Sequence, residues 1–249
     1  MDLGIGGRVA LVTGASSGLG LGIARALADE GARVAVTSRS RERIDAAAQQ
    51  VGGTGFVHDN TAIDGVPQLV KAVESELGPI DILVTNSGGP PPAPDPAAAE
   101  QGQWEAAYRE LVLAPMALIR RVMPGMRERK FGRVLSIAAS GVREPVPQLI
   151  LSNAHRIGLL AAFKMLARDV AKDGVTLNSV LPGLIGTDRL LQLFGSRENA
   201  EGMAASQVPA GRLGTVEEVA SVAAFLCSAR ASYVTGGAIL IDGGLTQGV

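Results

Sequence analysis

The chain alternates two kinds of apolar pattern. Short runs such as Val34-Ala35-Val36 and Ile82-Leu83-Val84 are interleaved with longer stretches whose apolar positions recur every three or four residues, as Leu19, Ile23 and Leu27 do. The runs are continuous rather than alternating, as strands covered on both faces require. They predict strands at 8–13, 33–37, 55–58, 80–84, 133–137, 175–180 and 237–241. The periodic stretches predict helices at 18–30, 41–51, 63–77, 100–129, 149–172 and 215–229. Alternation of this kind implies right-handed βαβ crossovers, so an α/β fold with a doubly wound parallel sheet of about seven strands is expected. No break in the pattern marks a linker, and residues 1–249 read as one domain.

Two stretches depart from the pattern. The segment 100–129 carries Pro115 and Pro124, so its helix should kink or divide. Residues 184–210 follow the sixth strand as a long loop with one short helical pattern, Leu190, Leu191, Leu193 and Phe194. Ligands in open α/β sheets sit outside the carboxyl ends of the strands, and mobile covers are built from loops there. A substrate lid is expected at 184–210, a structural excursion being the alternative. The stretch from Gly88 to Pro94 reads as a rigid loop because the alternation resumes beyond it.

Composition narrows the class further. A net charge of −1 gives no electrostatic reason to expect nucleic acid or an anionic membrane as partner. The lone cysteine, Cys227, lies in an apolar run and reads as a buried small residue in a reducing compartment. The first residues lack a basic segment followed by an apolar one, and no uninterrupted apolar run is long enough to span a bilayer. A soluble cytoplasmic protein without a metal site is expected.

Candidate chemistry begins at Thr13-Gly14-Ala15-Ser16-Ser17-Gly18-Leu19-Gly20, between the first strand and the first helix. Glycines at this junction allow a sharp turn and close approach of a ligand to the backbone. The free N–H groups of the helix start then face an anion. With the parallel sheet, this points to a three-layer αβα Rossmann fold and a dinucleotide. The second strand ends Thr37-Ser38-Arg39, with Ser38 where NAD sites place a carboxylate. Arg39 can hold a phosphate with a forked contact, so NADP(H) is favoured over NAD(H). Arg41 and Arg43 belong to the solvated helix that follows.

These residues resemble the short-chain dehydrogenase/reductase superfamily over nearly the whole chain, with the flavour of β-ketoacyl carrier-protein reductases. The glycine stretch resembles its TGxxxGxG turn. Asp59-Asn60 resembles the pair at the adenine, and Asn86 with Gly88 its NNAG turn. Pro182, Gly183, Ile185 and Thr187 fall in the segment that holds the nicotinamide end. The resemblance thus implies cofactor contacts from Gly14, Ser16, Ser17, Gly18, Leu19, Gly20, Ser38, Arg39, Asp59, Asn60, Asn86, Gly88, Arg156, Pro182, Gly183, Ile185 and Thr187. It also implies a homo-oligomer, tetramer or dimer.

The family's chemistry is hydride transfer at a carbonyl or alcohol carbon, normally with a Tyr-x-x-x-Lys pair supported by Ser and Asn. Spacing of four sets both side chains on one helix face. Aligned on Lys164 to Val170, the tyrosine position falls on Ser152 and the lysine position on Arg156. The serine position falls on Ala139, next to Ser140, and the asparagine position on Leu111. Tyr108 and Tyr233 are far from this register. Candidate catalytic groups are therefore Ser140, Ser152, His155 and Arg156, with His155 the one side chain that titrates near neutrality. His58 is expected beside the adenine pocket or in the core. Two functions follow: an oxidoreductase with a non-standard acid, or a non-catalytic dinucleotide-binding sensor or assembly subunit.

Overall fold

The computed structural model describes residues 1–248. Seven strands form one parallel sheet in the order β3-β2-β1-β4-β5-β6-β7. They are β1 (Val9–Val12), β2 (Arg33–Ser38), β3 (Thr54–Val57), β4 (Ile80–Thr85), β5 (Gly132–Ile137), β6 (Val175–Pro182) and β7 (Ala238–Ile241). Each lies within two residues of its predicted bounds. The helices are α1 (Gly18–Asp29), α2 (Arg41–Val51), α3 (Val66–Leu77), α4 (Gln101–Tyr108), α5 (Ala114–Glu128), α6 (Ile150–Val170), α7 (Asp188–Phe194), α8 (Arg197–Gln207) and α9 (Val216–Leu226).

The two-residue period of the strands sorts the core into two layers. Ala10 and Val12 pack with Ile23, Leu27, Ile44 and Val219 under α1, α2 and α9. Val9 and Leu11 face the other way, against Val70, Ile119, Leu159 and Phe163 of α3, α5 and α6. This is the three-layer αβα Rossmann arrangement. The chain winds outward in both directions from β1 and β4, so the strand order reverses between them and opens a crevice at their carboxyl ends.

The predicted helix at 100–129 is divided. A π-helical turn over Arg109–Leu113 separates α4 from α5, and Pro115 occupies the first turn of α5, where its missing N–H costs nothing. Pro124 lies inside α5 without ending it. It is exposed, as is Arg120 one turn earlier, so the carbonyl that loses its partner can turn to water. Residues 184–210 hold two helices rather than one short pattern, α7 and then α8, capped by Thr187 and Ser196.

The segment Pro147–Asp173, which contains α6, holds an 18-residue stretch that by length and composition alone could cross a membrane. In this fold it is a layer of the sandwich, with Leu151, Leu159, Phe163, Ala167 and Val170 buried.

Candidate functional site

The glycine stretch leaves β1 at the reversal point. Gly14 and Gly18 both have positive φ, at 57° and 55°. Ser17 caps α1 without a side-chain hydrogen bond, and no acidic residue sits in the first turn. The N–H groups of that turn are therefore free for an anion. A Cβ on Gly20 would lie 2.5 Å from the Gly14 carbonyl oxygen and 2.7 Å from Asn86 Nδ2. Asn86 is the knot of this region. Its Nδ2 donates to the Gly14 carbonyl at 2.9 Å, and its backbone N–H donates to Thr13 Oγ1 at 2.9 Å. The Asn86 carbonyl accepts from Asn60 Nδ2, also at 2.9 Å. Ends of β1, β3 and β4 are thereby tied together.

Beside this knot lies a cleft of about 310 Å³. Its walls include Gly14, Ser17, Gly18 and Leu19 from the turn, Asn86 and Gly88 after β4, and Ala138 and Ala139 after β5. Ser152 and Arg156 of α6 and Pro182, Gly183, Ile185 and Thr187 after β6 complete them, with Arg189, Leu190 and Leu193 of α7 above. Eleven of the cofactor residues expected from sequence are thus brought to one cleft, if Arg156 is counted among them.

The remaining ones lie outside that lining. Ser16 and Gly20 back the turn. Asn60 lines a small pocket behind the cleft, together with Leu111, Glu110 and Arg156. Ser38, Arg39 and Asp59 sit at the far end, beyond β2 and β3, with Arg39 exposed. Burial opposes ionisation of Asp59, yet hydrogen bonds from the Thr61 backbone and hydroxyl and the nearby charges of Arg39 and His58 hold its carboxyl below the usual value. His58 is buried there, its Nε2 has no hydrogen-bond partner, and burial lowers its pKa while Asp59 opposes. Asn60 Oδ1 is likewise buried without a partner. Open space at Gly88, the positive-φ glycines, the uncapped helix start and these unpartnered polar atoms fit an elongated ligand bearing both phosphate and hydrogen-bonding ring groups.

Ser152 and Arg156 stand one turn apart on α6. Arg156 Nε donates to Ser152 Oγ at 3.0 Å, and Arg156 Nη1 donates to the Ile137 carbonyl at the end of β5. Burial lowers the Arg156 pKa to about 10; the charge of Arg189 adds to the drop and Glu110 opposes it. The guanidinium remains charged at neutral pH.

Two expected catalytic candidates are elsewhere. His155 does not line the cleft. Its Nδ1 lies 2.7 Å from the Leu151 carbonyl, to which it donates, and its ring stacks on Trp104 at 5.5 Å and Tyr108 at 6.0 Å. At about 100° per residue, Arg156 follows Ser152 by roughly 40° around the helix while His155 is turned about 60° the other way, toward α4. Ser140 opens the short turn Ser140–Val142 one residue beyond the cleft wall, which is made by Ala138 and Ala139 instead. Leu111 is buried at 3% exposure, and Tyr233 is fully exposed. Sequence reasoning missed Arg189 and Glu110. The first sits two residues after Thr187 at the edge of an apolar pattern, and the second is turned inward by a π-helical turn that no periodicity announces.

A Rossmann-type αβα sheet with its cleft at the reversal point defines the class. A family profile described as Enoyl-(Acyl carrier protein) reductase matches residues 14–246. The chain is 35% identical over 242 residues to the 3-oxoacyl-acyl-carrier-protein reductase FabG of Vibrio cholerae, covering 96% of this chain and 97% of that one. It is 34% identical to dehydrogenase/reductase SDR family member 4 of Sus scrofa, covering 95% and 86%. Among solved structures, L-sorbose reductase from Gluconobacter frateurii, complexed with NADPH and L-sorbose, superposes with a TM-score of 0.92 at 33% identity over the whole of both chains. YwfH, an NADPH dependent reductase involved in bacilysin biosynthesis, gives 0.92 at 29% identity, covering 97% of this chain and 99% of that one. The chain belongs to the short-chain dehydrogenase/reductase superfamily.

Proposed function

We propose that the chain is an NADP(H)-dependent oxidoreductase acting on a carbonyl or alcohol compound, with Ser152 and Arg156 in the places that other members give to tyrosine and lysine. The hydrogen bond from Arg156 Nε to Ser152 Oγ, on the cleft wall, is the observation that supports it most. Because Ser152 Oγ accepts from the guanidinium, its own proton is directed away and is available to a substrate oxygen. The fixed charge of Arg156 stabilises negative charge developing on that oxygen. Neither group is a strong acid at neutral pH, so Ser152 passes its proton to the substrate oxygen and takes one in turn from water in the open cleft.

In this reading the turn from Gly14 to Gly20 and the start of α1 hold the pyrophosphate. Arg39, with Ser38, meets the 2′-phosphate; Asp59 and Asn60 meet the adenine. Asn86, Gly88, Arg156, Pro182, Gly183, Ile185 and Thr187 surround the nicotinamide half. The bound nucleotide would supply the hydride. NADPH in the L-sorbose reductase structure and the NADPH dependence of YwfH support the choice of nucleotide.

Fluorescence titration with NADPH and NADH, followed by NADPH consumption over a carbonyl panel, tests the proposal. NADPH should bind more tightly, and Arg39→Ala should remove that preference. Ser152→Ala should lower kcat on the order of a hundredfold without altering NADPH affinity. Binding of neither nucleotide refutes the proposal. A second reading, a dinucleotide-binding sensor or assembly subunit, draws on apolar Leu111 and Ala139 where polar helpers would stand. NADPH binding without consumption of any carbonyl would favour it.

A further inference from the structure

The lid brings a second guanidinium into the cleft. Arg189, in the first turn of α7, lines the same cavity as Ser152 and Arg156, and its Nη2 donates to the Pro90 carbonyl at 2.9 Å. The point that a Cβ on Gly89 would occupy lies 3.4 Å from Arg156 Nη2 and 3.6 Å from Arg189 Nη2. Two cations therefore converge over one glycine. Arg156 uses Nε on Ser152 and Nη1 on Ile137, which leaves Nη2 for a ligand. Arg189 keeps Nε and Nη1.

The acids nearby do not neutralise the pair by contact. Glu110 faces both guanidiniums, but its Oε1 accepts from the Gly89 N–H at 3.2 Å. Asp188 lines the cleft and is exposed. Neither arginine makes an ion pair among the described residues. Arg156 is half-buried and Arg189 is exposed at the mouth of the cleft; two like charges this close are unfavourable until an anion joins them, and a guanidinium matches a carboxylate in shape as well as charge. Leu149, Leu190 and Leu193 give the same cavity an apolar side.

We infer that the substrate carries a carboxylate, held between Arg156 and Arg189, and an apolar body that packs on Leu149, Leu190 and Leu193. This names the substrate class for the oxidoreductase proposed above and rests on that reading for the reacting carbonyl. The phosphates of the nucleotide are assigned to the glycine turn and Arg39, and Arg189 is the group that distinguishes a substrate carboxylate from them.

Calorimetric titration with phenylpyruvate and with its methyl ester, each with and without saturating NADP+, which has no hydride to give, tests the inference on the native chain, Arg189→Met and Arg189→Lys. The native chain should bind the acid at least about tenfold more tightly than the ester. Arg189→Met should abolish that preference while leaving NADPH affinity and ester binding unchanged, and Arg189→Lys should retain part of it. Equal binding of acid and ester, or binding of neither, overturns the inference. So does weakened NADPH binding by Arg189→Met with the acid preference intact, which would give the guanidinium to a cofactor phosphate. Loss of the oxidoreductase reading shows separately, as absent NADPH binding or absent turnover beside a persisting acid preference.

Discussion

Substituting Gly20 by alanine puts the packing of the glycine turn to a direct test. The new Cβ would stand 2.5 Å from the Gly14 carbonyl oxygen, 2.7 Å from Asn86 Nδ2 and 3.0 Å from Ala15 Cα. Two of the three are backbone atoms, and the third belongs to a side chain fixed by its bond to Gly14. No flexible group can yield, so the start of α1 must move away from the turn. Overpacking of this kind costs about 2–3 kcal/mol. For a chain of 249 residues that corresponds to a fall in Tm of roughly 5–10 °C. Displacing the helix start also draws the N–H groups off the anion, and NADPH affinity should fall by about tenfold, near 1.4 kcal/mol. Gly158→Ala is the matched control. It lies on the exposed face of α6 with nothing within 4 Å of its added Cβ, so it should raise stability by about 0.5–1 kcal/mol. Urea melts followed by circular dichroism, with nucleotide fluorescence, measure both variants. An unchanged midpoint for Gly20→Ala, or an equal loss for Gly158→Ala, would refute the reasoning.

Two further outcomes follow from buried titratable groups. Burial pushes the Cys227 thiol up to about 12, against the pull of Arg133, so it should not react with an aromatic disulfide reagent at pH 8 until the protein is unfolded; rapid native labelling contradicts this. His58 has its pKa lowered by burial, so below about 6.5 the unfolded chain binds the proton that the folded chain refuses. Its contribution to stability is complete above that pH and is lost as the pH falls toward its folded value. Stability should therefore drop on acidification below about 6.5, and His58→Asn should flatten that drop; an identical pH profile for the variant contradicts the assignment.

Strands and capped helices could be read because their determinants are local. α2 begins and ends where predicted: Ser40 Oγ accepts from the Arg43 N–H at its start, and Gly52 takes a left-handed φ of 62° at its end. The glycine turn and the pair Ser152/Arg156 share this legibility, since spacing alone sets them on one turn or one face. α8 was missed because its buried face is only Ala200 and Ala204, too small to leave a periodic signal. The π-helical turn at Arg109–Leu113 is a tertiary accommodation, so Glu110 in the small pocket behind the cleft could not be foreseen. His155 shows a limit of spacing arguments. A side chain three residues from Ser152 is turned off its face of the helix, and the His155 ring packs against Trp104 and Tyr108 of α4 instead.

The ties made by Asn86 have a thermodynamic consequence for ligand entry. Four hydrogen bonds join the ends of β1, β3 and β4 before any nucleotide arrives. The floor of the cleft is thus ordered during folding, and its conformational entropy is lost then rather than at each binding event. Among the described residues, α7 reaches across to the loop after β4 through one side-chain hydrogen bond, from Arg189 to the Pro90 carbonyl. On the proposed reading, association of the nucleotide should consequently show the small entropy penalty of a preformed surface.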